Sequence, residues 1–140
     1  LWTARGHGPQ PHSLRAIVFA ILLCGGSAFT PSDKAELKAA TDAWMSDAAA
    51  AEATYGHIST WNTSSVTDMS YLFYGSSWSS YYVSGAENFN EDIGAWDTSK
   101  VTNMEGMFRG GHHWSKFNRF NQPSGAWDTS SVAKMWDMFF

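Results

Sequence analysis

The sequence predicts an α/β solenoid of short parallel strands and short helices, with an N-terminal helical cap. Three observations lead to this fold class: one motif occurs three times, each copy has apolar residues at helical spacing, and small-residue turns precede the later copies. Self-similarity along a chain is the sequence signature of stacked repeats, which usually present a surface for binding. We therefore expect a binding scaffold rather than a catalytic pocket.

The motif starts at a tryptophan and ends at a Leu/Met-Phe pair. Its copies start at Trp61, Trp96 and Trp127, and these residues lie 35 and 31 residues apart. The difference in length falls in the two connections, 75–88 and 110–119. Length variation confined to one part of each unit is typical of loops on one face of a solenoid. We expect the three tryptophans themselves to stack in or beside the core.

Each copy carries a predicted helix. Its apolar residues fall at i, i+3, i+6 and i+7, which places them on one helical face. In the second copy these residues are Val101, Met104, Met107 and Phe108. Thr98 or Ser99 is placed to cap that helix. The segments 89–93 and 120–122 are predicted as short strands, so each unit reads strand, turn, helix, loop.

These repeats resemble the BspA-type leucine-rich-repeat surface proteins, in the branch first noted in mycoplasma lipoproteins. The pattern FNxDI-x-x-W-[DN]-T-S-x-V-T-x-M-x-x-M-F is matched most fully from Phe89 to Phe108, whereas the third copy departs from it at 123–124. The resemblance covers about residues 58–140. It implies a leucine-rich-repeat-like solenoid, extracellular display and adhesion-type binding, and it supplies no catalytic residue.

The first 28 residues are predicted to be a secretory signal peptide. Arg5 and Arg15 precede the short apolar run 16–24, and small residues follow it. That order is typical of a signal peptide, and the run is far shorter than the ~20 apolar residues of a bilayer span. The alternative is a buried helix of the mature fold. We therefore expect a secreted or cell-surface protein with no membrane span in the mature chain.

Cys24 is the only cysteine in the chain. Acylation of this residue would anchor the protein to a membrane, but Leu23 stands where a small residue is normally wanted. Cleavage of the signal after Ala28 would leave no cysteine for a disulfide or a metal site.

Composition restricts the class of partner. The net charge is −4, aromatic and charged residues each make up 16%, and both leader arginines lie within residues 1–28. Without the leader the charge becomes −6, which disfavours nucleic acid and anionic membrane. We expect a protein or glycan partner at the cell surface and a monomeric chain.

Residues 29–56 are predicted to form the N-terminal helical cap that seals the first repeat. Leu37, Thr41 and Trp44 make a helical stripe, alanines follow, and Gly56 ends the helix. A partner-binding helix is the alternative role for this segment. The repeat solenoid then occupies residues 57–140, and we expect it to be truncated after its third unit.

Four aromatic residues in the connections are the candidate ligand contacts, because loops on a rigid scaffold often carry recognition. They are Trp78, Tyr81, Tyr82 and Trp114. Their alternative role is to fold back as satellite packing. Asn62 starts an N-glycosylation sequon, or it holds a turn as Asp97 and Asp128 are predicted to do.

No catalytic chemistry is predicted. His112-His113 lacks a third ligand at useful spacing, and no phosphate-binding loop or GxSxG nucleophile occurs. We expect no enzyme, no cofactor and no metal site. The leading function is an interaction module, and the second is a structural spacer in a longer surface protein. A third, ice or mineral binding, would need an exposed row of Thr63, Thr98 and Thr129.

Overall fold

The structure is a computed structural model that describes residues 27–77, 79–110 and 119–139. The described residues contain two α-helices and two 3₁₀ turns, and none of them lies in a β-strand. The elements are α1 (Lys34–Ser46), α2 (Ala48–Tyr55) and the 3₁₀ turns Ile58–Thr60 and Ala86–Asn88. The predicted leucine-rich-repeat-like solenoid of parallel strands and short helices is therefore wrong. In its place, three irregular coils stack on one another: coil 1 (61–75), coil 2 (96–110) and coil 3 (127–139).

The coils are joined by a backbone ladder in which each amide donates to the carbonyl one position before its equivalent in the next coil. Four amides of coil 1 donate to carbonyls of coil 2 at 2.8–3.0 Å, from Met69, Tyr71, Phe73 and Gly75 to Asn103, Glu105, Met107 and Arg109. Three amides of coil 2 repeat the pattern toward coil 3 at 2.8–2.9 Å, from Met104, Gly106 and Phe108 to Lys134, Trp136 and Met138. Alternate amides thus point along the stack.

That direction explains why the predicted repeat helices do not form. A helical amide donates to the carbonyl four residues earlier in its own segment, whereas these amides donate to the next coil. Each coil also has one residue with positive φ at the same place: Tyr71 at 60°, Gly106 at 58° and Asp137 at 53°. A left-handed residue interrupts a right-handed helix. The apolar residues do recur at the predicted spacing, but they belong to a stacked turn and not to a helix.

The predicted strands over 89–93 and 120–122 are also absent. Among the residues that the structure describes, parallel pairing is limited to two isolated bridges, from Asp68 to Asn103 and from Asn103 to Lys134. The segment 89–93 is irregular and leads into a turn, in which the Trp96 amide donates to the Ile93 carbonyl at 3.1 Å. The ladder is too short and too tightly turned to continue as a sheet.

Aromatic side chains form columns through the core. Phe73, Phe108 and Phe139 stack with centroid distances of 5.2 and 5.4 Å and interplanar angles of 6° and 4°. Trp61 and Trp96 stack at 6.1 Å, and both are buried. The burial of the repeated tryptophans is thus confirmed. Identical residues meet because each coil places them at the same level above its neighbour.

Polar groups inside the stack are matched in the same way. The buried Thr63 hydroxyl donates to the Asp97 carbonyl of coil 2 at 2.9 Å, and the Thr98 hydroxyl donates to the Asp128 carbonyl of coil 3 at 3.0 Å. Thr98 was predicted to be a helix cap, and that role is wrong. Because an unpaired buried hydroxyl is costly, these bonds fix one coil on the next.

The predicted N-terminal helix forms, but as two helices. Asp33 caps α1 by accepting the Glu36 amide at 3.0 Å. Asp47 ends α1 and caps α2, because its carboxylate accepts the Ala50 amide at 3.1 Å. Gly56, with φ of 75°, ends α2 as predicted. The buried stripe of α1 includes Leu37 and Trp44, also as predicted.

Helix α1 and the residues before it lie against coil 1. The Asn62 amide donates to the Phe29 carbonyl at 2.9 Å, and the Trp61 ring meets Trp44 edge-on at 6.1 Å. The predicted boundaries at 28 and 56 stay predictions, since the signal segment lies almost wholly outside the described residues. None of the described helices has the length and apolar character that crossing a bilayer requires.

Candidate functional site

Two of the four predicted contact residues lie at the surface of the described structure. Tyr81 is 53% exposed and Tyr82 is 37% exposed, and both belong to the connection that follows coil 1. Trp78 and Trp114 lie outside the described residues. The predicted contact set therefore reduces to a tyrosine pair whose surroundings can be described.

The pair borders a shallow groove of about 250 Å³, which we call the tyrosine groove. Three parts of the chain build it: α1, coil 1 and the connection. Its lining includes Lys34, Lys38, Ser70, Tyr71, Tyr81 and Tyr82. A concave surface with aromatic side chains and a few polar groups is what small-ligand sites usually offer.

The Tyr81 ring is held flat against Tyr71. The two rings stack with centroids 4.2 Å apart and an interplanar angle of 7°, and Tyr74 meets both edge-on at 5.6 and 6.3 Å. One face of Tyr81 is covered by Tyr71, while half of the side chain remains open to solvent. The connection is therefore anchored to the coil stack through an aromatic contact.

Tyr71 occupies the left-handed position of coil 1, with φ of 60°. A bulky residue rarely adopts this conformation, and strain of this kind costs ~1–3 kcal/mol. Coil 2 has Gly106 at the equivalent position, and a Cβ built there would lie 2.7 Å from the Tyr71 ring. The missing side chain of Gly106 thus leaves the space that the Tyr71 ring occupies.

The Tyr71 phenol is bonded to coil 2. It donates to the Glu105 carboxylate, and this bond raises the pKa of Tyr71 to about 12. The contact fixes the ring at both ends, since the backbone amide of Tyr71 also donates to the Glu105 carbonyl at 3.0 Å. Tyr71 is therefore a positioning residue for Tyr81.

Both lysines of the groove have carboxylate partners. Lys34 Nζ lies 3.1 Å from Asp68 and 2.5 Å from the Ser70 hydroxyl. Lys38 Nζ lies 2.5 Å from Asp42, one turn along α1. Burial opposes ionisation of Asp68, but its bonds to Ser70 and Lys34 prevail and lower its pKa. The groove therefore carries paired charges of both signs.

A second depression continues the groove along α1. Its volume is about 450 Å³, and it shares Lys38 and Tyr82 with the tyrosine groove. Met45 and Gly85 close its far side. A Cβ built on Gly85, whose φ is 88°, would lie 3.2 Å from the Met45 carbonyl oxygen. The connection thus lies close over α1 with little room for a side chain.

The other sequence candidates lie elsewhere. Asn62 is exposed, and its side chain accepts the Ser64 amide at 3.1 Å in a turn that Asp97 and Asp128 repeat with Ser99 and Ser130. The predicted turn role is confirmed, and glycosylation of Asn62 stays a prediction. Because Thr63 and Thr98 are buried, they cannot form the exposed threonine row that ice binding would need.

No group of three metal-ligating side chains occurs among the described residues, and His112-His113 lies outside them. Sequence reasoning missed Lys34, Lys38 and Tyr71 as groove residues. The only signal in the sequence was Gly106, which occupies the same position of the second copy as Tyr71 does of the first.

One comparison with known proteins gives a match. No curated protein and no solved structure matches the chain. A family model matches residues 43–140, and this span includes all three coils and begins within α1. The chain therefore belongs to the family described as "Mycoplasma protein of unknown function, DUF285".

Proposed function

We propose that this protein is a non-catalytic interaction module, secreted or displayed at the cell surface, that recognises a protein or a glycan. The tyrosine groove is its contact surface. The observation that carries the proposal is that the Tyr81 ring is half exposed and stacks on Tyr71. Tyr71 in turn has a strained backbone and is held by two hydrogen bonds.

The resemblance to BspA-type surface proteins supports the extracellular assignment, and so does the signal-like N-terminus. Tyrosine supports the recognition role, because it presents a large rigid surface with few rotatable bonds and is enriched at binding hot spots. The groove draws residues from α1, coil 1 and the connection, so the stack holds its shape before any ligand arrives.

The proposal is tested by binding of the purified chain to intact cells, to arrayed extracellular proteins and to arrayed glycans. We expect retention on at least one of these, and loss of it when Tyr81 and Tyr82 are both replaced by alanine. Trp136→Ala is the matched control, because Trp136 is 75% exposed on coil 3 and does not line the groove. Equal binding by the double variant would refute the groove as the contact surface.

A structural spacer is the second candidate function. It is favoured by the backbone ladder, because the coils are joined through backbone amides and carbonyls and the joint does not depend on particular side chains. A spacer needs the stack but not the groove. Absence of binding to cells, proteins and glycans, together with a cooperative thermal transition, would select the spacer.

A further inference from the structure

We propose that the tyrosine groove takes a neutral pyranose sugar, stacked on the open face of Tyr81. This inference rests on the proposed function and names its ligand class. A pyranose ring has an apolar C–H face and a rim of hydroxyl groups. The groove offers an aromatic ring for the C–H face and polar or charged groups for the hydroxyl rim.

The Tyr81 ring supplies the apolar platform. Tyr71 covers one ring face at 4.2 Å and Tyr81 as a whole is 53% exposed, so the opposite face is the one left for a ligand. An aromatic face carries negative partial charge and attracts the slightly positive C–H groups of a sugar ring. The platform is set in advance, since Tyr71 is fixed by Glu105 and lies under Lys34 Nζ, 5.9 Å from its ring centroid.

The rim supplies donors and acceptors together. Lys34 and Lys38 retain N–H donors beyond their bonds to carboxylates, and the hydroxyls of Ser70 and Ser80 in the groove lining have acceptor lone pairs. A hydroxyl group both donates and accepts, so it is served by a mixed set of this kind. Hydrogen bonds in which the donor or the acceptor is ionised are the stronger ones.

The charge pattern favours a neutral ligand over an anionic one. Each groove lysine already lies within 3.1 Å of a carboxylate oxygen, so a sulfate or sialic acid that approached the lysine would be repelled unless that carboxylate moved away. Strand addition by a peptide is also disfavoured, because no described residue lies in a strand with a free edge. A neutral sugar requires neither rearrangement.

The test is an array of immobilised neutral hexose oligosaccharides, each printed beside its sulfated counterpart. We expect retention on neutral members and little change between low and high salt. Tyr81→Ala should weaken binding by about tenfold or more, which corresponds to ~1.4 kcal/mol. Tyr81→Phe keeps the ring and should weaken it by only about threefold.

Tyr71→Gly separates positioning from folding. Glycine adopts positive φ without strain, and coil 2 has glycine at the same level. The variant loses the phenol bond to Glu105 but also the backbone strain, so it should stay folded with a modest drop in melting temperature. It should weaken sugar binding by about fivefold, because Tyr81 loses its support. Trp136→Ala is again the control for an exposed aromatic outside the groove.

Three results would overturn the sugar assignment: retention only on sulfated members, a steep loss of binding with salt, or full binding by Tyr81→Ala. If Tyr81 and Tyr82 are required for binding to cells or proteins while no neutral sugar is retained, the sugar assignment fails and the interaction module stands. If no surface is bound at all, both fail.

Discussion

Coil 2 and coil 3 carry the same motif but bury it very differently. Met104 and Phe108 are buried in coil 2, whereas their counterparts Met135 and Phe139 are 44% and 63% exposed in coil 3. Among the described residues, coil 2 has a coil on each side and coil 3 has one neighbour. The motif therefore specifies which side chains face along the stack, and the stacking itself decides whether they are buried.

The largest difference is expected at the phenylalanine column. Phe108→Ala removes a buried ring that stacks on Phe73, Phe120 and Phe139, so we expect a loss of ~3–5 kcal/mol in the free energy of unfolding. Phe139→Ala removes a mostly exposed ring and should cost less than ~1 kcal/mol. Chemical denaturation measures both. Similar losses for the two variants would show that coil 3 is as buried as coil 2.

The next difference is expected at two equivalent glycines. A Cβ at Gly94 would lie 2.6 Å from the Pro123 carbonyl oxygen, a backbone atom that cannot swing away. Gly94→Ala should therefore destabilise the chain by ~1–3 kcal/mol. Gly125 has no atom within 4 Å of such a Cβ, and Gly125→Ala should stay within ~0.5 kcal/mol. Thermal melting of the two variants side by side checks the close approach of the segments that precede coil 2 and coil 3.

These pairs also show how far the sequence can be read. The repeat identifies the buried columns, because Trp61, Trp96 and Phe108 recur in register and a shared register means a shared neighbour. The repeat does not identify the backbone. Apolar residues at i, i+3, i+6 and i+7 are compatible with a helix and with a stacked turn. The two conformations differ in the direction of the backbone amides, and the residue types do not reveal that direction.

The left-handed position was equally hidden. It is held by Gly106 in coil 2, but by Tyr71 in coil 1 and Asp137 in coil 3, and only the glycine suggests positive φ. For the site, the exposed Tyr81 and Tyr82 could be foreseen as loop aromatics. Their partners on α1 could not, because the contact between α1 and the connection depends on how the first coil stacks.

A smaller difference is expected at the threonine rungs. The Thr98 hydroxyl is buried and bonded to the Asp128 carbonyl at 3.0 Å, so Thr98→Val leaves that carbonyl without its partner. We expect a loss of ~1–2 kcal/mol. Thr129 is exposed in coil 3, and Thr129→Val should change the free energy of unfolding by less than ~0.5 kcal/mol. Urea denaturation is the measurement, and equal losses would contradict the rung.

The smallest effect is a pH dependence that distinguishes the two junctions. Coil 1 meets coil 2 through the Tyr71 phenol and Glu105, whereas coil 2 has Gly106 at that level and makes no phenol bond to coil 3. The bond raises the pKa of Tyr71 to about 12 from an ordinary 10.0. The unfolded chain therefore loses this proton at a lower pH than the folded chain does. The stability from the bond is complete below the unfolded pKa and is lost as the pH rises through the folded one.

Tyrosinate absorbance measured against pH should accordingly show one late-titrating phenol, absent in Tyr71→Phe. Glu105→Gln removes the carboxylate and should return the pKa of that phenol toward its ordinary value of ~10. Tyr55→Phe is the matched control, because Tyr55 packs on Phe29 and Trp61 near α2 and lies outside this junction. If the late phenol persists in Tyr71→Phe, or disappears in Tyr55→Phe, the first junction is not held by this bond. Coil 1 would then rest on coil 2 without a phenol–carboxylate bond, as coil 2 rests on coil 3, where Arg109 instead pairs with Asp137.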